Sequence, residues 1–279
     1  MTSGSHGSSI GVFDSGVGGL SVLKSLIQEL PTKDILYLGD QIHVPYGIRS
    51  LEEVQEFSLV ITQYLLDLGA KIIVVACNTA SAAALQYLRQ KYPDTPFVGM
   101  EPAIKPAAEN TRTGIVGVLA TPATFQGALY ASVVERFASN VILIQNTCPG
   151  LVQQIERGET EGKETRGILE TALLPMLDQG IDTIVLGCTH YPFVIPLIKE
   201  IVGPDVRVID PAPSVARQVA RLLVSSESLG SQSKTGKLKF YTSGKAARFQ
   251  ELLMELLNVT SVVQEVSWEN NILVKQPAE

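Results

Sequence analysis

Short apolar runs recur along the chain at 10–13, 35–38, 72–76, 97–99, 115–119, 141–144, 183–187, 206–209 and 238–242, with a weaker one at 261–266. They are rich in Val and Ile and show little polar alternation, the pattern of strands covered on both faces. Between them lie longer segments with helical spacing, among them 51–68, 81–91, 165–179 and 246–257. Alternating strands and helices predict α/β layers with mainly parallel sheets. Residues 223–237, rich in Ser, Gly and Lys, read as an exposed loop and not as a domain boundary.

The pattern repeats. IGVFDSGVGGLSVL, from Ile10, aligns with VGVLATPATFQGAL, which begins 106 positions later at Val116. DILYLGD, from Asp34, pairs with NVILIQN at the same offset, from Asn140. LDLGAKIIVVACNTA, from Leu66, aligns with LDQGIDTIVLGCTHY, from Leu177, and GMEPA with VIDPA sets Glu101 and Pro102 against Asp210 and Pro211. Apolar strands resemble one another, but four matches in order at a nearly constant offset define a repeat. The expected architecture is two similar α/β domains, pseudo-symmetric, with an active site in the cleft between them. One domain comprises 1–99 with 212–279, because the run at 238–242 needs a sheet to join. The other comprises 100–211, with linkers near Met100 and Glu101 and near Asp210 and Pro211.

Composition narrows the function. The 279 residues are 45% hydrophobic and 18% charged, with mean hydropathy +0.20, which is a globular balance. A net charge of −6 and no strongly basic run argue against a nucleic-acid partner. The N-terminus lacks the charged start and apolar stretch of a secretion signal. The longest apolar runs, such as 72–76, fall far short of the roughly 20 residues that cross a bilayer. A cytoplasmic, soluble protein without membrane contact is expected, with its three cysteines as free thiols.

Two of those cysteines occupy equivalent places in the repeat. Cys77 and Cys188 each follow the third strand of their half, where α/β sheets bind ligands. A thiol at a helix N-terminus has its thiolate favoured by the dipole and by free N–H groups. Asn78 and Thr79 follow one, Thr189 and His190 the other. DSGVGG, from Asp14 to Gly19, departs from G-x-G-x-x-G at Ser21 and lacks a P-loop lysine, so it suits a small anion better than a nucleotide. Asp14 shares its sheet edge with Cys77 and could hold or accept a proton. His190 is the one histidine in a motif-like setting; His6 lies in the polar start and His43 in the loop QIHVPYG. There is no C-x-x-C or H-x-x-x-H spacing for a metal. Cys148 has no partner in the repeat, its counterpart being Ile42, and reads as core. Two thiols facing each other across a cleft fit the inversion of a carbon centre, in which one face loses a proton and the other gains one.

DSGVGGLSVL, VPYG at 44–47, ACNTAS at 76–81 and GCTHYP at 187–192 together resemble the glutamate racemases of the aspartate/glutamate racemase group, over essentially the whole chain. The resemblance implies cofactor-independent interconversion of L- and D-glutamate, supplying D-glutamate for peptidoglycan. It implies Cys77 and Cys188 as the acid/base pair, with Asp14 assisting the first and His190 the second, and Glu156 of LVQQIERG as a further catalytic residue. Substrate contacts carry over to Asp14, Ser15, Pro45, Tyr46, Gly47, Asn78, Thr79, Thr121, Thr124, Thr189 and His190. A homodimer is implied as well. Three other readings stay open at this level: a sister racemase acting on aspartate, a two-lobed protein that binds a dicarboxylate without chemistry, and a thiol redox pair.

Overall fold

The computed structural model describes residues 9–226 and 235–276. The chain opens with β1 (Ser9–Asp14), α1 (Leu20–Glu29), β2 (Ile35–Gly39), α2 (Leu51–Asp67), β3 (Ala70–Val75), α3 (Asn78–Lys91) and β4 (Phe97–Gly99). There follow α4 (Ile104–Asn110), β5 (Ile115–Ala120), α5 (Pro122–Gln126), α6 (Ala128–Phe137), β6 (Ile142–Asn146), α7 (Leu151–Glu156), α8 (Lys163–Asp178), β7 (Thr183–Gly187), α9 (Ile195–Val202) and β8 (Arg207–Ile209). The last part holds α10 (Ala212–Ser226), β9 (Leu238–Thr242), α11 (Ala246–Leu257), β10 (Val263–Glu269) and β11 (Ile272–Lys275).

The strands form two sheets. One runs β11-β10-β9-β2-β1-β3-β4 and the other β6-β5-β7-β8. The order β2-β1-β3-β4 is therefore repeated as β6-β5-β7-β8, the topological counterpart of the sequence repeat. All pairings are parallel except β10 with β11. The chain after the second sheet returns to the first, where β9 pairs with β2 in register from Ile35 opposite Leu238 to Gly39 opposite Thr242.

Alternate side chains of each strand enter opposite cores. In the first sheet Ile10, Val12, Ile72 and Val74 join the layer under α1 and α10, while Phe13, Ile73 and Val75 join the layer under α2 and α3. In the second sheet Val116, Val118 and Val185 face one core and Leu119, Ile184 and Leu186 the other. Burial on both faces explains the continuous apolar runs. A buried Val or Ile side chain contributes about 1.5–3 kcal/mol, so these strands dominate the stability of each half.

Two elements differ from expectation. The segment expected to be a loop from residue 223 is still α10 up to Ser226; residues 227–234 of it, like His6, lie outside the described residues. The hairpin partner β11 was not anticipated. Its turn is Asn270 and Asn271, at φ +48° and +61°, between Glu269 and Ile272, the two-residue loop that asparagine tolerates in the left-handed region. Among the described residues no helix is long and apolar enough to cross a membrane.

Candidate active site

The carboxyl ends of β1, β3, β5 and β7 converge on a narrow cavity between the two sheets. Ser15, Pro45, Tyr46, Gly47, Cys77, Asn78, Thr79, Thr121, Val152, Cys188, Thr189 and His190 line it. Both cysteines are on the wall, and both are buried. Among the described residues no Lys or Arg lines the cavity, so its donors are hydroxyls, an amide, an imidazole and backbone N–H groups.

Cys77 is the N-cap of α3, and its sulfur accepts the Ala80 N–H at 3.4 Å. The Ser15 hydroxyl is 3.9 Å from the same sulfur. The helix terminus was expected to favour a thiolate here. Burial instead pushes the Cys77 thiol up, and the nearby Asp14 carboxyl adds to it, against the smaller pull of the Ala80 N–H. Asp14 is fully buried; its Oδ1 accepts the Gly16 N–H at 2.8 Å and its Oδ2 the Thr189 hydroxyl at 3.0 Å. Burial raises its carboxyl above the usual range, while the His190 charge pulls the other way.

On the other wall Cys188 is not at an α-helix N-terminus. Pro192 and Pro196 interrupt the helical start, so a 3₁₀ turn, Tyr191–Val194, separates the thiol from α9. Its polar partner is His190, whose Nδ1 is 3.6 Å from the Cys188 sulfur. His190 Nε2 is 2.6 Å from Glu156 Oε1, which also accepts the Val17 N–H at 2.8 Å. Burial alone would lower the His190 pKa, but its contacts with Cys188 and Glu156 outweigh this and raise it well above the ordinary value. Burial works to raise the Glu156 carboxyl, but His190, the Val17 N–H and the Gln41 amide together outweigh it, so that Glu156 sits below the usual range. His190 is thus clamped between the Glu156 carboxylate and the Cys188 sulfur.

The glycine-rich turn after β1 makes room for this array. A methyl group at Gly16 would collide with the Glu156 carboxylate, and one at Gly18 with the His190 ring. The loop thus admits the other half's side chains to within contact of its backbone, a use of glycine distinct from cradling an anion. The Tyr37 hydroxyl donates to the Gly16 carbonyl at 2.9 Å and fixes the turn. The Ser21 hydroxyl lies 2.9 Å from both the Gly18 and Thr189 carbonyls, so the residue that breaks the dinucleotide fingerprint ties the two halves together.

The hydroxyls of Thr79 and Thr121, both on the wall, are 2.9 Å apart, and that of Thr124 is 2.9 Å from Thr121. Asn78 is 3% exposed, yet neither its amide nitrogen nor its oxygen has a hydrogen-bond partner. A buried amide on a cavity wall with no protein partner can hydrogen-bond a polar ligand. Of the residues singled out in the sequence, Asp14, Thr124 and Glu156 stand just behind the lining rather than in it; the others are on the wall. Cys148 lies in the core with Leu151 and Ile155, at φ +43°, its thiol pushed up to about 12 by burial. The sequence reading missed Val152 on the wall, Tyr37 and Ser21 behind it, and Gln41, whose amide reaches Glu156 Oε2 at 3.4 Å. Val152 could have been found from its place one turn before Glu156; Tyr37 reads only as a strand residue.

The α/β fold with two mainly parallel sheets is that of amino-acid racemases, as the comparisons with known proteins show. Residues 10–219 match the family model described as Asp/Glu/hydantoin racemase. The chain belongs to that family, and within it to the branch of the glutamate racemases. It is 50% identical over 248 residues to the glutamate racemase of Ectopseudomonas mendocina, covering 89% of this chain and 94% of that one. It is 49% identical over 244 residues to that of Pseudomonas paraeruginosa, covering 88% and 92%. The glutamate racemase isoform RacE1 of Bacillus anthracis superimposes with TM-score 0.85 at 34% identity, over 95% of this chain and 98% of that one. The Francisella tularensis glutamate racemase, solved in complex with D-glutamate, gives 0.81 at 31% identity, over 93% and 97%.

Proposed function

We propose that the protein interconverts L- and D-glutamate by a two-base mechanism without a cofactor, with Cys77 and Cys188 as the opposed acid and base. The observation that carries this reading is the pair of sulfurs on one buried cavity, delivered from equivalent strand ends of a repeated fold. In one direction the Cys188 sulfur takes the α-proton from one face of the substrate while the Cys77 thiol donates a proton to the other; the reverse reaction exchanges these roles. The raised Cys77 thiol supports a resting state in which Cys77 carries its proton. His190, held charged by Glu156, places a positive charge beside Cys188 and the developing carbanion.

Asn78 and the Thr79, Thr121 and Thr189 hydroxyls supply hydrogen bonds to the two substrate carboxylates, and Ser15 faces the α-amino side, with Asp14 behind the wall. The tests are direct. Circular dichroism should show either glutamate enantiomer racemised to an equal mixture, with aspartate turned over far more slowly; faster aspartate turnover would favour the sister activity. Glutamate binding without turnover would favour a binding protein. The same reading assigns the product to peptidoglycan synthesis, the protein to the cytoplasm and the assembly to a homodimer. It divides the chain into lobes 1–99 with 212–279, and 100–211.

A further inference from the structure

The loop that supplies Pro45, Tyr46 and Gly47 to the cavity has no regular structure beyond the single 3₁₀ turn Tyr46–Ile48. Its anchor is Asp40, fully buried at the end of β2. The Asp40 Oδ2 accepts the Tyr46 hydroxyl at 2.6 Å and lies 2.8 Å from His43 Nδ1. Its Oδ1 accepts the Ser243 hydroxyl at 2.7 Å and the Trp268 indole N–H at 2.9 Å. Four donors occupy the lone-pair directions that a carboxylate offers. One oxygen therefore grips the cavity loop, and the other is gripped by the strands that return after the second sheet.

Two further contacts follow the same division. Ser243 accepts the Ile42 N–H at 3.1 Å, and the Trp268 ring packs edge-on against His43 and Phe57, with centroids 5.0 and 5.6 Å away. His43 in turn stacks on Phe57 at 4.1 Å. Neither Ser243, Trp268 nor His43 lines the cavity.

We infer that Trp268 and Ser243 are positioning residues for the cavity wall: through Asp40 they fix the Tyr46 loop in its substrate-holding position. The extra strands β9 and β10, which the second sheet lacks, thereby serve the site as well as the fold. The kinetic part rests on the racemase reading; the structural part does not. Tyr46 lines the cavity and carries no proton in the racemase reading, so loosening the loop should weaken binding more than proton transfer.

Trp268→Phe keeps the ring packing and removes the N–H. Losing one hydrogen bond to a carboxylate should raise KM for both glutamate enantiomers roughly tenfold, with kcat held within about twofold. Hydrogen–deuterium exchange of amides at 41–48 should accelerate roughly tenfold, with β1 and β3 unchanged. Should Trp268→Phe fail to fold, Ser243→Ala removes the other Oδ1 donor and is read the same way. An unchanged KM, a fall confined to kcat, or exchange that is unchanged or rises evenly across the first sheet would overturn the inference. Should the wild-type protein fail to racemise glutamate, the racemase reading falls, and the exchange at 41–48 alone decides the role of Trp268.

Discussion

His190 and Glu156 meet at 2.6 Å in an almost dry setting, and each shifts the other's titration: the imidazole upward, the carboxyl downward. A raised histidine stabilises the fold fully below its unfolded pKa of about 6.5 and loses that contribution as pH rises through the folded value. A lowered glutamate does so above its unfolded pKa of about 4.3 and loses it as pH falls through the folded value. The pair is therefore at full strength between about pH 4.3 and 6.5. The difference in melting temperature between wild type and Glu156→Gln should peak in that window and shrink on both sides. In the same variant, the His190 resonance should titrate at a lower pH than in wild type. A difference that does not vary with pH would contradict the pairing.

Gly18→Ala should place a methyl group against the His190 ring, at the edge facing Cys188. Misplacing a proton-transfer partner by an ångström costs about 100-fold in rate. A fall in kcat of that order is expected with a soluble, folded protein, measured by polarimetric turnover and by melting. Activity within a factor of two would show that the ring has room to spare.

Asn78→Ala separates function from stability. The Asn78 amide is buried without partners, so removing it relieves a desolvation cost of about 1–3 kcal/mol in the ligand-free protein. The variant should melt at least as high as wild type, while KM for glutamate rises at least ~10-fold through the lost carboxylate contact. A lower melting temperature together with unchanged KM would assign Asn78 to the fold.

Cys148→Ala should leave racemisation within about twofold, at a stability cost of about 1–2 kcal/mol for the lost buried sulfur. Cys77→Ala and Cys188→Ala should each lower racemisation by a factor of at least ~10²–10⁴, the usual contribution of a positioned acid or base. Loss of activity in Cys148→Ala at full stability would bring the third thiol into the chemistry.

The repeat was legible because strand ends that present a ligand site use the same residue types twice: an apolar run, a cysteine, then small polar residues. The sheets show the same repeat, as β2-β1-β3-β4 and β6-β5-β7-β8. Cys77 and Cys188 were legible for the same reason, Asp14 from its place in the turn after the first strand, and His190 from its place two residues after Cys188. What the sequence could not carry was contact across the cleft. That Gly16 and Gly18 yield space to Glu156 and His190 depends on how the halves face each other. The tie from Ser21 to Thr189 spans 168 positions and has no local signature. The Cys77 thiol was misjudged because a helix terminus is visible in sequence, whereas depth of burial and an adjacent carboxyl are not. The start of the second helix differs from the first because Pro192 and Pro196, which have no counterpart after Cys77, put a 3₁₀ turn before α9.

The central claim is that the proton leaves by one cysteine and returns by the other. It is tested most directly by following L-glutamate in heavy water at low conversion. Two opposed bases predict that the D-glutamate formed carries deuterium at Cα while the unreacted L-glutamate keeps its protium, with the mirror result from D-glutamate. Product that retains the substrate's own proton, or deuterium entering unreacted substrate as fast as product, would show a single base serving both faces and contradict the account.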